Sequence, residues 1–167
     1  SSIEQYVKTL SFEQIAERIQ KEKGFSMETT PLEPVTTSDQ KTFTYENGQT
    51  AADTSGAYLE FTLHFMAEKD MILHLTSADS SARASDGTAV ISENSALPPS
   101  MRISFTTDGN TWIYDPGMGA AGSTESNAKT FGLPEAGAMK INNDNAMFSL
   151  KEGVDKAVEV HIWMEGT

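Results

Sequence analysis

A mainly β fold, an antiparallel β-sandwich carrying a short N-terminal helical element, follows from three features of this sequence. From Met27 onward helical periodicity gives way to short alternating runs separated by clusters of Thr, Ser, Gly, Pro and Asn. No helix of useful length is readable between those runs, and parallel strands need crossovers of a dozen residues or more, so neighbouring strands are expected to run antiparallel. The helical signal is confined to the first stretch, dividing one domain into a helical element at 1–26 and a sandwich at 27–167.

Residues 3–23 carry two apolar stripes out of phase with each other. Ile3, Tyr6, Val7 and Leu10 form the first, and Phe12, Ile15, Ala16 and Ile19 the second. Ser11 followed by Gln14 is a capping box, so two short helices are predicted to meet near Leu10-Ser11. Gly24, after Lys21, Glu22 and Lys23, is the stop. Strands are predicted near 41–46, 58–66, 71–76, 88–91, 101–107, 111–115, 146–150 and 157–165. In 58–66, Leu59, Phe61, Leu63 and Phe65 share one face and Glu60, Thr62 and His64 the other. In 157–165, Val158, Val160, Ile162 and Met164 are expected inward, with Glu159, His161, Trp163 and Glu165 outward. Asp108-Gly109-Asn110 supplies residues that tolerate positive φ, making 101–114 a hairpin. Any two-residue loop drawn from those three places Trp112 and Tyr114 on the face of Ile103 and Phe105, as core. The stretches 77–100 and 115–138 read as long surface excursions.

Composition excludes several classes of function. The 167 residues hold 12 Lys+Arg against 24 Asp+Glu, a net charge of −12, which repels nucleic acid and anionic lipid. No apolar run approaches the ~20 residues that span a bilayer, so no membrane insertion is expected. Cysteine is absent, which removes disulfides, thiolate metal ligands and a cysteine nucleophile. The chain opens Ser1-Ser2 with no basic-then-apolar leader, as a mature product with its targeting segment removed would.

Few residues carry recognisable chemistry. A nucleophile elbow, a phosphate-cradling glycine loop and a His-Glu-x-x-His helix are missing. Gly117–Gly122 lacks the preceding strand and following helix of a dinucleotide site, and the helical element lacks the basic second helix of a DNA reader. His64, His74 and His161 each fall on a predicted strand. If those strands are neighbours, the imidazoles could converge with Glu60, Glu159 or Glu165 into a nitrogen-oxygen metal site of the zinc type. Such a site could activate water as a hydrolase does. Against it stands the ordinary use of a polar residue on an outer strand face, which is solvation. Asp108-Gly109-Asn110 and Asn142–Asn145 offer oxygen ligands for calcium, but without the alternating spacing of a dedicated loop they read first as turns. Trp163, expected outward, is the one candidate platform for stacking a sugar ring.

Three blocks, GAYLEFTLHFMAEKDMILHLTS, MRISFTTDG and VEVHIWMEGT, together about a quarter of the chain, resemble secreted surface proteins of Gram-positive bacteria of the TasA/camelysin group. The resemblance implies an extracellular β-sandwich of jelly-roll type with no enzymatic site of its own. TasA-like members are matrix fibre components. Camelysin has been described as a metalloproteinase, but no His-Glu-x-x-His motif is present to which protease residues could be carried over. The expected function is therefore that of a secreted or cell-surface structural or interaction protein, without a cofactor, acting through protein partners or self-association. A glycan-binding module using Trp163, and a metal-dependent hydrolase using His64, His74 and His161, are the alternatives. Because the strongly patterned strand 157–165 lies two residues from the end of the sequence, an open sheet edge beside it is also expected.

Overall fold

The computed structural model of the chain describes residues 6–74, 100–114, 138–139 and 146–166. Among them are one helix, α1 (Phe12–Lys23), and nine strands: β1 (Pro34–Thr36), β2 (Thr44–Tyr45), β3 (Leu59–Phe65), β4 (Met71–His74), β5 (Met101–Thr107), β6 (Asn110–Tyr114), β7 (Ala138–Met139), β8 (Ala146–Leu150) and β9 (Lys156–Glu165). The protein is mainly β, as its sequence predicts. The expected strand at 88–91, the Gly117–Gly122 run, the Asn142–Asn145 turn and most of the two long excursions lie outside the described residues.

α1 starts and stops on its caps. The Gln14 N–H donates to Ser11 Oγ at 3.2 Å while the Ser11 N–H donates to Gln14 Oε1 at 2.9 Å. Gly24, at φ 84°, turns the chain out of the helix with its N–H on the Gln20 carbonyl. Ile19 is buried and Ile15 half-buried, so the second stripe docks on the sheet. The first stripe does not form a helix over the described residues 6–10. Val7 and Leu10 are exposed there, and so short a segment has no tertiary burial to offset the cost of nucleation.

β9 is the hub of the larger sheet, which runs β2-β1-β9-β5-β6-β7 with β3 also on β9. β5 pairs along one edge of it from Met164 to Glu159. On the other edge β3 pairs from Lys156 to Ile162, and β1 then takes Met164 and Glu165. The open edge expected beside β9 is thus absent. Two pairings are parallel, β1 with β9 and β6 with β7, which corrects the wholly antiparallel expectation to a mixed sheet. The long segment 115–137 gives ample chain for the β6–β7 crossover without a readable helix. β1 escapes the sequence reading because Pro34 opens it, a position where the ladder tolerates the missing N–H.

The 101–114 hairpin has the expected register, with Phe105 opposite Trp112 and Ile103 opposite Tyr114. Its loop is Asp108-Gly109, at φ 53° and 76°, the two positive values a type I′ turn requires. Tyr114 is buried and Trp112 packs half-buried against the core.

Two cores lie on opposite faces of the larger sheet. On one, Val158, Val160, Leu59 and Phe61 pack with Ile19 and Phe25 and with Met147, Phe148 and Leu150 of the small antiparallel β4–β8 sheet. On the other, Val35, Phe43, Ala51, Ala57, Tyr58 and Ile113 enclose Trp163. The 34–58 region therefore roofs the face of β9 that was expected to meet solvent. Gly56, at φ 81°, lets this roof approach the turn that follows α1, since a Cβ there would fall 2.3 Å from Thr30 Cγ2.

Candidate functional site

Beneath the roof, β3 and β9 bring polar groups together through their register. Glu60 stands directly opposite His161, and Glu159 lies two residues earlier on the same face of β9. His161 Nε2 is 3.0 Å from Glu60 Oε2 and 3.3 Å from Glu159 Oε1. One ligating atom from each of the three residues can be chosen so that all lie within 4.8 Å of one another. His161 is only 1% exposed, against side-chain exposures of 26% for Glu60 and 44% for Glu159, so the cluster has a buried floor and an open rim.

Lys23, at the last turn of α1, closes one side. Its ammonium donates to Glu60 Oε1 at 3.0 Å and to Asp53 Oδ2 at 2.9 Å. Burial works against the charge on Lys23, but the hydrogen bonds and attraction of Asp53 and Glu60 prevail and hold its pKa above the usual lysine value. The hydrogen bond from Lys23 in turn holds the Asp53 carboxyl below the usual range. Tyr58, buried beside the cluster, is pushed up to about 12 by burial and by the negative charges of Glu60 and Asp53. The imidazole sits among aromatic rings, with Phe43 at 5.2 Å and Tyr58 at 6.3 Å between centroids. Its Nδ1 is buried and has no hydrogen-bond partner.

The predicted site residues fall in three places. His161 joins Glu60 and Glu159, a combination anticipated from the alternation of their strands. His64 does not join them, for it stands opposite Ala157, about 14 Å along β9 from His161 at ~3.4 Å per residue. Its exposed ring instead meets Asp155 at 3.0 Å, where Tyr6 also donates. The Tyr6 hydroxyl, and then His64, hold the Asp155 carboxyl below its ordinary value. His74 belongs to the other sheet, at the register position of Ala146, and its side chain lies outside the described residues. One ion cannot be shared by His64 and His161 at ~2 Å bonds, so the three-histidine arrangement does not form.

Trp163 corrects the outward expectation. It is 0% exposed, stacks edge-on against Phe43 at 5.2 Å and donates from Nε1 to Glu165 Oε2 at 2.7 Å. Glu165 also accepts from Thr36 Oγ1 at 2.6 Å. A buried indole presents no face to a sugar. Alternation alone shows which residues share a face, and the face could be covered because its polar groups found partners inside.

Lys23, Asp53 and Thr36 were not legible as members of these networks, because each arrives from a different, distant segment. The basic last turn of α1 was the only local signal for Lys23. Asp108-Gly109-Asn110 forms the expected turn, with Asp108 paired to Lys156. Two open surface depressions, one beside Pro34 and Tyr45 and one beside Gln20 and Met27, include none of the three clustered residues Glu60, Glu159 and His161. No helix of the described residues is long and apolar enough to cross a membrane. Comparison with known proteins gives no match to a family model, a curated protein or a solved structure.

Proposed function

We propose that this protein is a secreted or cell-surface structural and interaction protein, with a β-sandwich of jelly-roll type and no catalytic site of its own. The observation that carries the reading is how its reactive groups are used. Glu60 ties α1 to β9 through Lys23 and His161; Glu165 ties β1 to β9 through Thr36 and Trp163; Asp155 ties the chain before α1 to β3 through Tyr6 and His64. Glu60, His161, Glu165, Trp163 and His64 thus serve in struts between remote segments. The small β4–β8 sheet laid over the larger one supports the sandwich form.

The exterior suits a protein that works by contact. Its net charge of −12 keeps it apart from phosphates and anionic lipid. At one end, where Phe65 pairs with Lys156, Ala67 bridges to Glu152 and Met71 pairs with Leu150, the large apolar residues Met66, Met71 and Val154 are exposed. Exposed apolar side chains offer contact points for a partner. The resemblance of the three sequence blocks to secreted surface proteins adds the compartment. Fractionation of the source cell expressing the whole natural gene is the test. Recovery in the medium or envelope, with protease sensitivity on intact cells, is expected; recovery in the cytosol would overturn the reading.

A further inference from the structure

We infer that Glu60, Glu159 and His161 bind one divalent transition-metal cation of the zinc class. Around a tetrahedral ion with bonds of ~2.0–2.1 Å, neighbouring ligand atoms stand about 3.3 Å apart. His161 Nε2 already stands 3.0 Å from Glu60 Oε2 and 3.3 Å from Glu159 Oε1. One ligand atom from each of the three residues lies within 4.8 Å of the others, so closing round an ion asks for only a small movement of the carboxylates. Glu159 is the most exposed of the three and can make that adjustment.

Charge points the same way. The ammonium of Lys23 pairs with Asp53 and Glu60, and Glu159 joins the cluster through His161, so around a neutral imidazole three carboxylates and one ammonium carry a net charge of two negatives. A single divalent ion balances them. Two like charges directed at one imidazole nitrogen repel each other until a cation lies between them. Lys23 occupies Oε1 of Glu60 and leaves Oε2 to face His161, orienting the carboxylate as an outer-shell partner does. One nitrogen and two oxygens suit zinc and its first-row neighbours, whereas magnesium and calcium prefer oxygen alone. The open rim leaves the remaining coordination position to water.

Binding relocates one proton. In the empty site Nε2–H donates to the two carboxylates and Nδ1 is bare. The ion takes the Nε2 lone pair, and the proton displaced from Nε2 moves through solvent to Nδ1, so the imidazole stays neutral and no net proton is released. Nδ1 is buried without a partner, so this tautomer is costly and lowers the affinity by about ten- to a hundredfold.

Chelator-stripped protein dialysed against zinc chloride tests the inference. One zinc per chain is expected. Glu159→Gln should weaken binding at least about tenfold while keeping the wild-type thermal melt. His64→Ala, on the same sheet face but in a separate network, should bind as wild type. Nitrogen NMR of the histidines should show His161 passing from the Nε2–H to the Nδ1–H form as zinc is added. Absence of stoichiometric zinc, wild-type binding by Glu159→Gln, loss of binding in His64→Ala, or an unmoved His161 tautomer would each overturn it.

Discussion

Trp163 unites the largest apolar surface of the second core with a hydrogen bond to Glu165, so its removal costs in two ways. Truncation leaves a cavity in the core that Phe43 and Ile113 line and removes the hydrogen bond to Glu165. Trp163→Ala is expected to destabilise the fold by about 3–5 kcal/mol, read from the midpoint of urea unfolding. Trp163→Phe keeps most of the packing and should lose the smaller part, about 1–3 kcal/mol, belonging to the lost hydrogen bond from Nε1–H to the Glu165 carboxylate. Equal losses in the two variants would contradict the role given to the Nε1–H. At Gly56 the backbone is left-handed and a Cβ would meet Thr30, so two penalties coincide. Gly56→Ala should cost roughly 2 kcal/mol or more. An unchanged thermal midpoint would show that the roof is not held as tightly against Thr30 and Phe25 as described.

At the scale of elements, α1 depends on its first turn, because Phe12 is exposed and only Ile19 is fully buried. Loss of the Ser11 hydroxyl removes one partner of the capping box, and Ser11→Ala should destabilise by about 1 kcal/mol. Less helical signal in circular dichroism at the onset of melting would accompany it. α1 and the β5–β6 hairpin were legible in the sequence because local chemistry sets their boundaries. Ser11, Gln14 and Gly24 fix one, and Asp108-Gly109 fixes the other, with its facing pairs. β1 and β7 were not legible. They are three and two residues long and owe their extended form to β9 and β6, partners distant in sequence. The site was half legible for the same reason. Alternation put Glu60 on one face of β3 and Glu159 with His161 on one face of β9, and adjacency of the strands did the rest. That face was expected in solvent, because the strand predicted at 41–46 carries no sign of the partner it covers, and nothing local announces that Phe43, Ala51 and Tyr58 will lie over β9.

Across the whole molecule, stability should fall on the acid side. The Asp39 carboxyl lies below its ordinary value because the Thr42 and Lys41 N–H groups donate to it, and Asp155 is lowered by Tyr6 and His64. A carboxylate with a depressed native pKa contributes stability that is complete above the unfolded value, near 3.8, and is lost as pH falls through the lower native value. Urea midpoints measured from neutral pH down to about pH 2 should therefore decline most below pH 4. Asp39→Asn should start lower at neutral pH and decline less steeply. A parallel decline in that variant and wild type would remove Asp39 from the explanation.

The acidic composition, the exposed apolar residues and the polar groups turned inward as struts support the proposal of a protein that acts through its surface. That claim is most directly tested by the mass of the natural protein extracted from its source under non-denaturing conditions, measured by light scattering as it elutes from a sizing column. An assembly of several times the mass of one chain, dissociating to single folded chains on dilution or detergent treatment, is the expected result. A strictly monomeric species at every concentration, with no partner eluting alongside it, would contradict the account.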